Sequence, residues 1–288
     1  QITYDDTFYF NIPKVEKIGV LAIHENANST FLERLYGGSE FRFQNQNYKT
    51  LDYSQIKTQN LIILNGLTEI SVVLKNTLEA FMNSGGVVVM IPSKKAKLNT
   101  YNQLLALQTN HRLKPIQAQK KRITNIAFEH PILKDVFEAQ VTNFQYPTVQ
   151  YYYPLTTTAN SVLSFENQHP FLVQFEALYV FTSAVETEAS NFVNSPLIVP
   201  TFYNIGRSSL KTPPLYYWIG DENNFDIKVD LQKDRILKLA NTDTEFIPLQ
   251  TNFNNRVNIT TKDDPNTPGH FSILNDRDTL THVSYNYN

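Results

Sequence analysis

Three short apolar runs end in residues able to do chemistry. Lys17 to Ile23 (KIGVLAI) is followed by His24-Glu25, and Asn60 to Leu64 (NLIIL) by Asn65-Gly66. Val87 to Ile91 and Pro92 lead into Ser93, Lys94 and Lys95. If these runs are parallel strands, their carboxyl ends form the crevice in which open α/β sheets bind ligands. That crevice would hold a base (His24), an acid (Glu25), an amide, a hydroxyl and two ammonium groups, with Asn65, Gly66 and Ser93 as ligand-binding candidates. Strand ends are polar in any such sheet, so the same residues also suit a plain solvated rim. Ser93 occupies the place of a nucleophile elbow, yet that elbow needs small neighbours so that the turn can tighten. Its flanks are Met90-Ile91-Pro92 and Lys94-Lys95. A serine nucleophile also requires a histidine braced by a carboxylate. The six histidines are His24, His111, His130, His169, His270 and His282, of which His24 is the partner within reach of Ser93.

Other chemistries find less support. The chain has no cysteine, which removes thiol nucleophiles, disulfides and Cys-ligated metals together. No two histidines stand four apart, and Asp221, Glu222, Asp226 and Asp230 lack the glycine and terminal glutamate of a calcium loop, so no metal is expected. Gly37-Gly38 and Gly85-Gly86 read as helix stops, and no phosphate-cradling glycine pattern occurs, so no cofactor is expected. Tyr151-Tyr152-Tyr153 could stack on sugar or peptide, although alternating tyrosines more often divide between core and surface.

The elements that must position these groups follow from periodicity. Both faces of Lys17–Ile23, Asn60–Leu64 and Val87–Ile91 are apolar, as in buried parallel strands. Asn28 and Ser29 offer caps to a short helix through Leu35, and Glu40–Gln46 alternates like a half-buried edge strand. A helix is expected from about Glu69 to Asn83, with Ile70, Val73, Leu74, Leu78 and Phe81 inward. Further helices are expected at Asn99–Leu107, from His130-Pro131 to Phe137, and from Asn194 to about Arg207. Arg112–Phe128 reads as irregular or extended. Short strands at Val149–Tyr153, Ser161–Phe165, Phe171–Phe175 and Leu178–Thr182 suggest an antiparallel extension of the sheet. Lys211-Thr212-Pro213-Pro214 reads as a linker. Beyond it lie strands at Phe225–Val229, Arg235–Leu239, Phe246–Leu249, Arg256–Thr260, Gly269–Leu274 and Leu280–Tyr287, which suggest a small β-sandwich. The expected division is therefore an α/β domain at 1–212, a doubly wound flavodoxin-like sheet, and a β-sandwich at 213–288.

Composition bounds the partners. Twenty-five basic against twenty-seven acidic residues leave a net charge of −2, too little to gather nucleic acid or anionic lipid. Hydrophobic residues at 41% exclude disorder. No run approaches the roughly 18 to 20 apolar residues of a membrane helix. The start at Gln1 and the strand-like pattern running to Asn288 suggest a processed piece whose last domain is cut short.

Several stretches resemble a known family. Asp52-Tyr53-Ser54, the run from Asn60 to Leu67, Gly85-Gly86 and Val87 to Ser93 resemble the glutamine-amidotransferase-like domain of bacterial BatA-type proteins, the aerotolerance-regulator group. So do His130 to Phe137, Asn143-Phe144, Ser190-Asn191-Phe192, Val199 to Asn204, Pro268 to Phe271 and Tyr285-Asn286-Tyr287. The resemblance implies a flavodoxin-like, class I amidotransferase-like sheet and an Ig-like sandwich. It also implies an extracytoplasmic, periplasmic location, protein partners at the membrane, and anchoring by helices outside this sequence. It transfers no catalytic residue: class I amidotransferases carry a cysteine on the elbow and a His and Glu after a later strand. Here the elbow falls at Pro92-Ser93, and no histidine follows Thr182 closely. The expectation is a non-catalytic recognition or scaffold module, a pseudoenzyme with a degenerate pocket. The alternatives are a hydrolase using Ser93 and a carbohydrate-binding module.

Overall fold

The computed structural model describes residues 7–12, 17–27, 29–134, 136, 145–159, 161–210, 213–229, 231, 235–253 and 256–288. The chain divides into two units, Glu16–Leu210 and a second formed by Lys211–Asn288 with the described residues of Gln1–Val15.

In the larger unit the side chains of the central strands are apolar until the strands near their carboxyl ends, so each strand needs cover on both faces. Strand β1 (Ile18–His24) is followed by α1 (Thr30–Tyr36), β2 (Phe41–Asn47), β3 (Leu61–Leu67), α2 (Val72–Asn83), β4 (Val87–Pro92) and α3 (Leu98–Leu105). Then come β5 (Lys121–Ile126), β6 (Thr148–Val149), β7 (Ser161–Phe165), β8 (Pro170–Phe175), β9 (Leu178–Phe181) and α4 (Ile198–Ser208). One nine-stranded sheet results, in the order β2-β1-β3-β4-β9-β8-β7-β5-β6. The first five strands in this order run parallel, and β8, β7, β5 and β6 continue it antiparallel.

Alternate residues feed opposite cores. Val20, Ala22, Ile63 and Val89 meet Leu32 and Tyr36 of α1 and Phe202 and Ile205 of α4. Leu21, Ile23, Ile62 and Met90 meet Leu74 and Leu78 of α2 and Tyr101 and Leu104 of α3. Each fully buried aliphatic side chain is worth about 1.5–3 kcal/mol, more than the net value of a single hydrogen bond, so burial decides the layering. Tyr36 ties α1 to α4 by donating to the Phe202 carbonyl at 2.6 Å. Burial pushes its phenol well above the usual tyrosine range.

Several local expectations are corrected. Helix α2 begins at Val72, not near Glu69, because the Ser71 hydroxyl accepts from Leu74 N (3.2 Å) and holds the preceding chain extended. That start turns Val73, expected inward, to solvent at 61% exposure. His130–Lys134 forms turns rather than a helix, with Leu133 and Lys134 N both donating to the His130 carbonyl. The remainder of that expectation, through Phe137, falls largely outside the described residues, as do Asn143-Phe144. Within Arg112–Phe128, expected to be irregular or extended, Lys121–Ile126 is indeed extended, a strand paired with β7. Val149–Tyr153 is not a continuous strand because its backbone bonds divide among partners: Gln150 N goes to Ala189 O, Tyr152 N to Gln117 O and Tyr153 N to Thr182 O. Helix α4 begins at Ile198 rather than Asn194, after a turn of 3₁₀ helix at Phe192–Asn194, and carries Pro200 in its first turn.

The smaller unit contains β10 (Tyr217–Trp218), β11 (Asn223–Ile227), β12 (Leu237–Ala240), β13 (Glu245–Phe246), β14 (Leu249–Phe253), β15 (Arg256–Thr261), β16 (Gly269–Asn275) and β17 (Asp278–Asn286). They form sheets of five (β10-β17-β16-β12-β13) and three strands (β11-β15-β14). Phe225, Ile227, Val257 and Ile259 from the smaller sheet share a core with Leu237, Leu239, Phe271, Ile273 and Tyr285 from the larger. The N-terminal strip belongs here, although the division at 212 assigned it to the α/β part. Asn11 N donates to Leu215 O (2.7 Å), and the buried Asn286 amide exchanges two 2.7 Å bonds with the Tyr9 backbone. Among the described residues no helix is long and apolar enough to cross a membrane.

Gly206 marks the tightest packing of α4. A Cβ there would lie 2.8 Å from ring carbons of both Phe41 and Tyr36, which are buried and unable to swing away. Alanine would improve helix propensity by about 1 kcal/mol. The overlap costs more, so Gly206→Ala is expected to lower stability by about 1–3 kcal/mol in urea denaturation. A rise in the midpoint would contradict the packing.

Candidate functional site

The chain leaves β1 toward β2 on one side and returns to β3 on the other, which opens a crevice at the carboxyl ends of β1 and β3. His24 stands in register with Asn47 and Asn65 there. Asn65 is buried and donates to Ser29 Oγ at 3.1 Å. Gly66 has φ +69°, and a Cβ would approach Ala27 Cβ to 2.9 Å, so both backbone and space require glycine. Glu25 accepts from Thr68 N at 2.9 Å, and its backbone carbonyl accepts from Asn47 Nδ2 at 3.1 Å. The bonds from Thr68, aided by the charges of Lys49 and Lys97, hold the Glu25 carboxyl below the usual range. Lys97 itself pairs with Glu69.

Ser93 lies apart from this set. Its hydroxyl accepts from Lys95 N (3.3 Å), while its carbonyl accepts from Tyr153 OH (2.7 Å) and Ala96 N (3.2 Å) in a tight turn. Strand β3 separates β1 from β4, which puts about 10 Å between the strands that end in His24 and Ser93. No histidine bonds to Ser93 among the described residues. His24 Nδ1 is buried without a hydrogen-bond partner. The structure thus joins Glu25 to Thr68 and Asn65 to Ser29, and among the described residues bonds no histidine or carboxylate to the Ser93 hydroxyl.

The three consecutive tyrosines offer no stacking platform, because Tyr151, Tyr152 and Tyr153 are all buried. Tyr152 OH donates to Gln117 Oε1 (2.8 Å), and Tyr153 OH reaches the carbonyls of Ser93 and Lys94 (2.7 and 3.0 Å). Extended chain normally alternates its side chains, but this segment is covered from two sides.

A second place carries a cavity. At the carboxyl ends of β4 and β9, a cleft of about 290 Å³ is lined by Lys94, Ile116, Ala118, Gln150, Tyr151, Glu186 and Glu188. The Tyr151 ring packs on Ala184 and Ala189, and Lys94 Nζ lies 5.6 Å from its centroid. Tyr151 is 5% exposed, and its hydroxyl is buried without a partner. Burial, then the Glu186 charge, pushes that phenol far above the ordinary tyrosine range. The Glu186 carboxyl is raised as well, by burial and by Glu188. Bonds from Ala189 N (3.0 Å) and Ser190 N (2.8 Å) to Glu186 O hold the turn that presents both carboxylates. Chemically the cleft offers two acceptor-rich carboxylates and an ammonium, with Ile116 and Ala118 as an apolar wall, while the Tyr151 hydroxyl is shielded from solvent. It was not anticipated from the sequence. The available signal was Glu186-Thr187-Glu188 shortly after an apolar strand, legible only once β9 is known to run parallel beside β4.

No family model and no curated protein matches the chain. Among solved structures it is similar to a ThuA-like protein from Bacteroides uniformis at 14% identity, covering 70% of this chain and 95% of that one, with a TM-score of 0.50. It is also similar to PurLQS from Thermotoga maritima (13% identity, 67% and 99% covered, TM-score 0.41). A third is a β-galactosidase from the psychrophilic Marinomonas ef1 (12%, 85% and 38%, TM-score 0.44). The first likeness shows a shared α/β fold; the other two carry no argument.

Two outcomes test this geometry. Glu25→Gln should destabilise the protein at neutral pH by under about 1 kcal/mol, since a partly exposed carboxylate is screened by solvent. Because the folded-state pKa lies below the ordinary 4.5, that stabilisation is full above 4.5 and fades as pH falls through the lowered value. The Tm gap between variant and wild type should therefore close in acid. Tyr151→Phe should raise stability by about 1 kcal/mol, because it deletes a buried hydroxyl that has no partner. A loss of stability in thermal or urea denaturation would show that the hydroxyl is bonded.

Proposed function

We propose that this chain is a non-catalytic recognition module, with an amidotransferase-like α/β unit and an Ig-like β unit, belonging to a membrane-anchored extracytoplasmic protein. One observation carries the reading: at the ends of β1, β3 and β4 the carboxylate, amide and hydroxyl that could react each take part in a structural bond. Ser93 is bonded to Lys95 N, Glu25 to Thr68 N and Asn65 to Ser29. A nucleophile needs a base within hydrogen-bond reach, and among the described residues no histidine or carboxylate bonds to the Ser93 hydroxyl. The absence of cysteine excludes the thiol reaction of class I amidotransferases in this chain. The ThuA-like neighbour supports the α/β assignment through fold alone, and fold does not decide function. The BatA-type resemblance supports the anchored, extracytoplasmic setting and protein partners at the membrane.

The test is a panel of ester, amide and glycoside substrates assayed with wild type and Ser93→Ala in parallel. No turnover above buffer is expected from either protein. Turnover that disappears in Ser93→Ala would replace this reading with the hydrolase, and turnover that survives would place an enzyme elsewhere in the chain.

A further inference from the structure

We infer that β14 (Leu249–Phe253) is a self-pairing edge through which two copies of this chain associate, joining their three-stranded sheets into one continuous sheet.

Among the described residues β14 ends its sheet: β15 pairs along one side of it and no strand pairs along the other. Its side chains alternate in an inverted sense. Val257 and Ile259 of β15 point into the core, and the residues opposite them on β14 are Asn252 and Gln250. The core side of β14 is therefore polar, and Gln250 bonds to both backbone groups of Leu237 (2.8 and 3.0 Å). Leu249, Thr251 and Phe253 face outward, with Leu249 76% and Phe253 47% exposed. Such an edge offers a row of backbone groups to another strand, and folds guard their edges with short strands or charges. The other edges here are guarded: β6, β10 and β13 are two residues long, β2 carries Arg42, and β11 carries Asp226. β14 has five residues with neither charge nor proline.

Residue types choose the partner. Leu-Gln-Thr-Asn-Phe has the same chemistry read from either end: apolar, amide, hydroxyl, amide, apolar. Antiparallel pairing about a two-fold axis at Thr251 sets Leu249 against Phe253, Gln250 against Asn252, and Thr251 against its own copy. Each is a favourable cross-strand pair. A slip of one residue would set Leu249 against Asn252 and turn one copy's outer face to the other's core side. Charge agrees with this choice. Beside a two-fold axis any charge meets its own copy, whereas an unrelated partner could answer it with the opposite sign. None stands on β14, and Arg256, 4.7 Å from the Phe253 ring, is neutralised by Asp226 at 2.7 Å. So short a pairing buries less than the ~1,200 Å² of stable complexes, so the dimer is a transient one.

Sedimentation velocity of the full chain at rising concentration, to about 1 mM, should show a monomer–dimer equilibrium. Thr251→Lys adds to an exposed position a charge that meets its copy, and should weaken dimerisation at least about tenfold without changing the circular dichroism spectrum. Asn224→Lys on β11, the opposite edge of the same sheet, should dimerise like wild type. Because the chain has no cysteine, Thr251→Cys carries a single thiol. Opposed residues of an antiparallel pair lie within disulfide reach, so mild oxidation should link its copies faster than those of Asn224→Cys. A chain that stays monomeric to about 1 mM would overturn the proposal. So would Thr251→Lys dimerising like wild type, Asn224→Lys dimerising less, or Thr251→Cys linking no faster than Asn224→Cys. Turnover in the substrate panel above would overturn the recognition reading and leave self-pairing standing.

Discussion

The larger unit depends on one constraint: its central parallel strands carry no polar side chain until they end. Val20, Leu21, Ala22 and Ile23 are completely buried, as are Leu61 to Leu64 and Val88 to Ile91. Water must be kept from both faces, so helices are required above and below. Polar side chains are consequently expelled to the strand ends, and the amphipathic faces of α1, α4, α2 and α3 are consumed in providing cover. The location of any site in this unit follows from that segregation.

The two strand-end regions use their polar groups in opposite ways. Between β1 and β3, the Thr68 amide, the Ser29 hydroxyl and Gly66 organise Glu25 and Asn65 into a bonded rim. Beyond β4 and β9, Tyr151 is buried without a partner beside two carboxylates that repel each other. The first arrangement has met its hydrogen-bonding needs internally. The second leaves a desolvation penalty uncompensated within the fold.

Much of the fold was legible in the residues. The buried runs at Lys17–Ile23, Asn60–Leu64 and Val87–Ile91 became β1, β3 and β4 within one or two residues at their starts, because two apolar faces admit little else. Helix α2 was legible in type but not in its first turn, since the Ser71 cap outweighed the apolar spacing that includes Ile70. The tyrosine segment was misread because its backbone partners, Gln117, Thr182 and Ala189, lie far away in sequence. The N-terminal strip carried no signal at all, since its hold on the β unit runs through Asn286.

Local pattern by itself determined the buried central strands, the polar strand ends and the absence of thiol chemistry. These follow from side-chain chemistry at short range. Tertiary structure alone decided that β9 lies parallel beside β4, that Ser93 and His24 end on strands separated by β3, and that Tyr151 shares a cleft with Glu186 and Glu188. The physical reason is that strand order and burial arise from contacts between residues tens to hundreds of positions apart, whose free energy appears in no window of the sequence.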